Sequence, residues 1–114
     1  MNTKGILSTL TKVPGIHEAM IVGRDGFVIE HAGDMDADAT GAVVSTAIGA
    51  TESMGSELNQ GTLSEVMAEY KEGTVIVAPV GTDAILVIAA EENAVLGAIR
   101  HAVKKNIKDL ERSL

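Results

Sequence analysis

The chain of 114 residues has no cysteine, no tryptophan and only two aromatic residues, Phe27 and Tyr70. Without cysteine, disulfide bonds, thiolate metal ligands and cysteine nucleophiles are all excluded. The scarcity of aromatic side chains removes the stacking platforms that proteins use to bind single-stranded nucleic acids. Hydrophobic residues still make up 46% of the chain, so the core must be built from aliphatic side chains.

Long apolar runs are also missing from the chain. No segment approaches the ~20 consecutive apolar residues that a membrane span requires, and the first residues show no signal-peptide pattern. We therefore expect a soluble, cytoplasmic protein with no membrane insertion. The length suits a single domain over residues 1–114, built around one hydrophobic core.

Positive charge is scarce and unevenly placed. The net charge is −7, and no lysine or arginine stands between Arg24 and Lys71. The last segment is the exception, because it holds five of the nine basic residues, namely Arg100, Lys104, Lys105, Lys108 and Arg112. One basic helix edge on an acidic protein is too small a footprint for nucleic acid. We expect no nucleic-acid partner.

Periodicity and turn residues predict the element order αββαβββα. Helices are expected over residues 3–12, from about 36 or 38 to 58, and over 93–114, with Thr3 as the cap of the first. Strands are expected over residues 16–22, 27–31, 63–71, 74–80 and 84–90. The last two strands are apolar on both faces, which is typical of central strands covered on both sides. The charged, alternating strand 63–71 is typical of a sheet edge.

The long central helix carries two neighbouring apolar strips on a helical wheel. One strip is predicted to cover the sheet and contains Ala39, Val43, Ala47, Ala50, Met54 and Leu58. The second contains Ala37, Val44, Ile48, Thr51 and Gly55, and the glycines within this helix favour close tertiary packing. One interpretation is a broad stripe buried inside a single domain. The other is a two-fold dimer that pairs the 63–71 edges and packs the two long helices together.

The dimer interpretation explains both the second strip and the exposed edge, so we favour it. It predicts a homodimer interface formed by Val44, Ile48, Thr51, Gly55, Ser64, Val66 and Ala68.

Motifs for catalysis or cofactor binding are absent. No two of the three histidines have the spacing of metal ligands, and the acidic loop around Asp34, Asp36 and Asp38 lacks the pattern of a calcium loop. There is no phosphate-binding or nucleophile-elbow motif. Arg24, in the turn Gly23-Arg24-Asp25-Gly26, is interpreted as a surface residue of a hairpin. We expect no enzymatic activity, no metal and no cofactor.

Several motifs follow one another in a characteristic order along nearly the whole chain. They are Leu7-x-x-Leu10-x-x-Val13-Pro14-Gly15-Ile16, Ala19-Met20-Ile21-Val22-Gly23-Arg24-Asp25-Gly26, Leu58-x-x-Gly61-x-Leu63-x-x-Val66, Glu72-Gly73-Thr74-Val75, Pro79-Val80-Gly81-Thr82-Asp83-Ala84-Ile85-Leu86-Val87 and Asn93-x-x-Leu96-Gly97-x-Ile99-Arg100. Together they resemble Roadblock / dynein light chain domains, in particular the compact prokaryotic single-domain members.

This resemblance implies an α/β (α+β) fold. The expected sheet is antiparallel with five strands in the order 2-1-5-4-3, the long helix on one face and the terminal helices on the other. The resemblance also implies homodimers formed through the third strand and the long helix. Known members bind small Ras-like GTPases, either stimulating hydrolysis, as in bacterial polarity and gliding systems, or acting as scaffolds. Others link cargo to dynein.

A GTPase partner is expected on the exposed face of the long helix, at Ser45, Gly49, Glu52, Ser56 and Asn59. This helix has no arginine, so any stimulation of hydrolysis would come from rearranging residues of the GTPase itself. The leading hypothesis is a homodimeric, non-enzymatic adaptor that regulates a small Ras-like GTPase. The alternative is a structural scaffold with the same dimer and no effect on nucleotide turnover.

Overall fold

The computed structural model describes residues 1–114 and consists of three helices and one antiparallel sheet of five strands. The elements in chain order are α1 (Thr3–Thr11), β1 (Ile16–Gly23), β2 (Val28–Gly33), α2 (Asp38–Glu57), β3 (Val66–Tyr70), β4 (Gly73–Val80), β5 (Ala84–Glu91) and α3 (Leu96–Ser113). The strand order is β2-β1-β5-β4-β3. Both orders are the predicted ones, so the fold class is confirmed.

Two hydrophobic cores lie on opposite faces of the sheet. Helices α1 and α3 cover the first face, where residues such as Leu7 and Ile99 pack against Ile21 and Ile88. Helix α2 covers the second face and forms the smaller core. None of the three helices combines the length and apolar character needed to cross a membrane.

The ends of several elements differ from the predicted ones. Asn2, not Thr3, caps α1, because the Asn2 side chain accepts a hydrogen bond of 2.8 Å from the Gly5 amide. The Thr3 hydroxyl instead lies 2.6 Å from the Ser113 hydroxyl, which joins the two terminal helices. Strand β3 begins at Val66 because its pairing with β4 extends only from Val66 to Tyr70. Side-chain and tertiary contacts of this kind are not visible in the periodicity of the sequence.

The rotation of α2 about its axis differs most from the prediction. Val44 and Ile48 are only 7% and 1% exposed and pack on the sheet, whereas Val43 and Met54 are 68% and 57% exposed. Gly41 permits this orientation, because a Cβ atom at this position would overlap the carbonyl oxygen of Gly26 in the β1–β2 turn. A residue with a side chain at position 41 would push this face of the helix away from the turn.

Two expectations are overturned by this rotation. The strip predicted to cover the sheet, residues Ala39, Val43, Ala47, Ala50, Met54 and Leu58, faces outward and is exposed. Val44 and Ile48 were predicted at a dimer interface, which is wrong because they fill the protomer's own core between α2 and strands β1 and β5. Gly41 likewise approaches the turn of its own chain and not a second helix.

The α2 side of the sheet is only partly covered. Strand β5 is buried on both faces along most of its length, as predicted. Strand β4 alternates buried and half-buried residues, so the prediction of two covered faces is wrong for it. Its half-buried residues Val75 and Val77 pair with Ala68 and Val66 of β3 on the α2 side. Strand β3 forms one edge of the sheet, as predicted.

Candidate partner-binding and assembly surfaces

The turn between β1 and β2 is fixed to α2 at two points. At the first, Gly26 lies so close to the helix that an added Cβ would be 3.2 Å from the Ala42 Cα atom and 3.4 Å from the Ser45 hydroxyl oxygen. At the second, the Arg24 guanidinium donates two hydrogen bonds to Glu52, of 2.5 Å to Oε1 and 3.1 Å to Oε2. The turn and the helix therefore form one continuous surface.

The Arg24–Glu52 pair has the bidentate geometry that gives an ion pair directional specificity. The hydrogen bond from Arg24 lowers the pKa of Glu52. The same hydrogen bond raises the pKa of Arg24, with a smaller contribution from the negative charge of Asp83. The Arg24 amide also donates to the Asp83 carbonyl oxygen at 3.0 Å, so the arginine ties the β4–β5 turn to the β1–β2 turn.

The position of Arg24 in a hairpin turn predicts a free surface residue. The structure shows instead that Arg24 ties the turn to α2 through Glu52. The two charged groups stand 28 positions apart in the chain, which hides their pairing from local sequence patterns. One sequence signal could have found it: Arg24 is the last basic residue before Lys71 in a long acidic stretch. A lone cation among many carboxylates favours an ion pair within the chain.

The flank of α2 next to this turn, carrying Ser45, Gly49, Glu52 and Ser56, is here named the turn flank. It holds four of the residues predicted to bind a partner. Ser45 and Gly49 are half-buried, Ser56 is exposed, and Glu52 is held by Arg24. The fifth predicted residue, Asn59, is exposed just beyond the helix, in a left-handed conformation with φ of 58°.

Two exposed apolar side chains adjoin the turn and were not predicted as functional. Phe27 is 75% exposed and Ile29 is 53% exposed, and both line an open cavity of about 360 Å³ together with Arg24 and Asp83. A signal existed in the sequence, because Phe27 is one of only two aromatic residues in the chain. An aromatic side chain that no core accepts is a frequent anchor in protein–protein contacts.

A second surface, here named the open face, combines the outward strip of α2 with the uncovered part of the sheet. Its members are apolar and exposed or half-buried: Val43, Ala47, Ala50, Met54, Leu58, Val66, Ala68, Val75 and Val77. Of the other residues predicted at a dimer interface, Thr51 and Gly55 are half-buried and Ser64 is exposed. These exposed apolar residues make the open face a candidate interaction site, because large apolar patches mark such sites in soluble proteins.

Comparison with known proteins agrees with this architecture. The Roadblock/LC7 domain model matches residues 3–90. An uncharacterised protein of Methanocaldococcus jannaschii is 37% identical over 102 residues, which cover 88% of this chain and 89% of the relative. Among solved structures, Myxococcus xanthus MglB is similar with a TM-score of 0.90 and 18% identity, covering 96% of this chain and 92% of its own. An MglB structure with a tetrameric arrangement gives a TM-score of 0.90 and 22% identity, and the match covers 97% of this chain and 86% of the MglB chain.

Proposed function

The chain belongs to the Roadblock/LC7 domain family, and from this premise we propose that it is a non-enzymatic homodimeric adaptor that binds and regulates a small Ras-like GTPase. One observation carries the proposal: the protomer has two separate surfaces, an apolar one and a mixed one. The open face suits self-association, and the turn flank stays accessible to a second protein.

Self-association is supported by the chemistry of the open face. Exposed Val43, Met54 and Leu58 would lose contact with water on packing against a second copy. Full burial of such a side chain contributes roughly 1.5–3 kcal/mol, and each of these contributes less because part of it is already buried in the protomer. Strand β3 also offers unpaired backbone groups along a sheet edge, and a two-fold axis would pair these edges into one continuous sheet. The tetrameric arrangement of the similar MglB structure is in keeping with self-association of this fold.

The turn flank is the surface we assign to the GTPase. It combines the polar residues Ser45 and Ser56 with the neighbouring apolar residues Phe27 and Ile29, and a mixed surface of this kind suits a regulated, reversible complex. The only arginine close to it, Arg24, is held by Glu52. Regulation would therefore act by rearranging catalytic residues of the GTPase and not by inserting a cation into its active site.

A structural scaffold with the same dimer remains the second candidate. Its supporting observation is the bidentate ion pair of Arg24 with Glu52, which joins the turn flank to the β1–β2 turn before any partner binds. The two candidates differ in whether partner binding depends on the nucleotide carried by the partner.

The first experiment tests the dimer by its mass in solution. The double variant Val43→Asp/Met54→Asp places like charges on the open face and is expected to sediment as a monomer where the parent chain is a dimer. A matched control, Val95→Asp/Leu114→Asp, changes two equally exposed apolar residues at the ends of α3 and should leave the dimer intact. A dimeric open-face variant would place the interface elsewhere.

The second experiment tests the GTPase. The tagged dimer is used to capture proteins from native lysate, in the presence of GDP or of a non-hydrolysable GTP analogue. The expected result is a Ras-like protein recovered mainly in one nucleotide state and lost with the turn-flank variant Gly49→Arg, whose position has open space around it. Capture that ignores the nucleotide would support the scaffold.

A further inference from the structure

The opposite side of the molecule carries a groove that neither the open face nor the turn flank includes. It lies between α3, strand β4 and residues 64–65, which directly precede β3, and has a volume of about 330 Å³. Its floor is apolar, formed by Ala78, Val103 and the half-buried Ile107. This volume lies at the lower end of the range for small ligand sites, so it has room for one or two side chains of a partner.

Three exposed lysines, Lys104, Lys105 and Lys108, stand along the α3 side of this groove. The other two basic residues of α3 are neutralised, Arg100 by Glu65 at 2.5 Å and Arg112 by Asp109 at 3.1 Å. The three lysines form no ion pair with any carboxylate of the chain.

This concentration of free positive charge is unusual in a protein with a net charge of −7. Lys104 and Lys108 are four residues apart on one helix face, where like charges repel by a few tenths of a kcal/mol. Three cations without an ion-pair partner beside an apolar floor therefore offer complementarity to a ligand with carboxylates around an apolar centre.

We propose that this groove binds a short acidic segment of a partner protein, which inserts an apolar side chain between α3 and β4 and sets its carboxylates against Lys104, Lys105 and Lys108. The site is independent of the proposed GTPase contact, because the groove lies on the α1/α3 side of the sheet and the turn flank on the α2 side. Both surfaces are therefore accessible at the same time.

The structure favours a protein segment over an anionic membrane. Binding to a membrane surface requires apolar side chains that project into the lipid. No exposed residue from Gly97 to Arg112, the stretch that holds the lysines, is large and apolar, and the exposed Val95 and Leu114 lie beyond it at the two ends of α3. The apolar atoms at this site lie recessed in the groove, where a peptide side chain reaches them and a flat lipid surface does not.

The test measures fluorescence anisotropy of three short labelled peptides with the full chain at low salt. The peptides combine glutamate with leucine, glutamate with serine, or lysine with leucine. The variant Lys104→Glu/Lys108→Glu removes the charge complementarity of the groove. The control Lys12→Glu/Lys71→Glu makes the same change of net charge at exposed lysines outside the groove.

We expect the glutamate–leucine peptide to bind the parent chain and to bind the groove variant roughly tenfold more weakly, with no loss for the control. The lysine–leucine peptide should bind better to the groove variant than to the parent chain. Failure of the glutamate–leucine peptide to bind the parent chain would overturn the proposal. So would equal binding of the glutamate–serine peptide, which would indicate attraction by charge without a groove.

A third arm separates a protein partner from a membrane. Vesicles of phosphatidylcholine with phosphatidylserine are expected to leave the chain in the supernatant on sedimentation. Vesicles that retain the parent chain and release the groove variant would assign the lysines to a lipid surface and contradict the proposal.

Discussion

Gly41 provides the sharpest test of how α2 is seated on the sheet. In most helix interiors a change of glycine to alanine stabilises a protein by roughly 0.5–1 kcal/mol, because alanine has the higher helix propensity. At Gly41 a Cβ atom would overlap the Gly26 carbonyl oxygen, which is a rigid backbone atom. Helix α2 would have to lift from the turn and loosen the packing of Val44 and Ile48.

We expect Gly41→Ala to reduce the free energy of unfolding by about 2–3 kcal/mol, the range of overpacked core positions. In a domain of this size that loss lowers the melting temperature by about 4 °C per kcal/mol. Urea unfolding followed by circular dichroism measures the change. It is run at one fixed protein concentration, because dimerisation would add a concentration-dependent contribution.

Gly49→Ala is the matched control, since it lies two turns further along α2 and a Cβ atom there meets nothing within 4 Å. This variant should be as stable as the parent chain or more stable. A loss of stability for Gly41→Ala together with a gain for Gly49→Ala would support the close contact between α2 and the turn. If Gly41→Ala were stabilising to the same extent as Gly49→Ala, the close contact between α2 and the turn would be refuted.

Three further predictions concern stability. Gly33→Ala should lower the free energy of unfolding, measured in thermal melts, by more than 2 kcal/mol, because Gly33 has φ of 130° and its Cβ would overlap the buried Glu18 carboxylate. Gly61→Ala should lower it by only about 1 kcal/mol, because Gly61 has φ of 84° but free space around it. The lowered pKa of Glu52 means that its ion pair stabilises the fold above the unfolded-state pKa of about 4.3, and that this stabilisation is lost as pH falls through the lower folded value. Glu52→Gln should therefore flatten the decline of stability in acid, and an unchanged pH profile would contradict this. Asn2→Ala should lower the free energy of unfolding by about 1 kcal/mol through loss of the α1 cap. An unchanged urea unfolding curve would show that Asn2 does not stabilise α1 as a cap.

The strands and their order were predictable because local signals and the family resemblance agreed. An Asp-Gly turn at residues 25 and 26 and alternating or continuous apolar runs specify hairpins and central strands within a few residues of sequence. The edge position of β3 followed from the charged residues of the predicted strand 63–71, which are Glu65, Glu69 and Lys71. These features depend on neighbouring residues, so they are visible without the tertiary structure.

The orientation of α2 was not predictable from its periodicity. The two apolar strips are adjacent on the helical wheel, and the outward one contains more large residues, including Met54 and Leu58. The observed orientation requires a glycine at position 41, and this requirement depends on where the Gly26 carbonyl lies in space. The same holds for the candidate site, because pairing of Arg24 with Glu52 and exposure of Phe27 arise only when the turn meets the helix.

The position of β1 in the sheet also has a consequence for how the chain reaches its folded state. Strand β1 pairs on one side with β2, which follows directly, and on the other with β5, where Ala19 faces Ile88 near the end of the chain. During synthesis the β5 side of strand β1 therefore has no hydrogen-bonding partner until β5 has left the ribosome. Pairings between such distant segments slow folding and prolong the exposure of aggregation-prone surface. A chain that ends before Ala84 has no strand to complete the middle of its sheet.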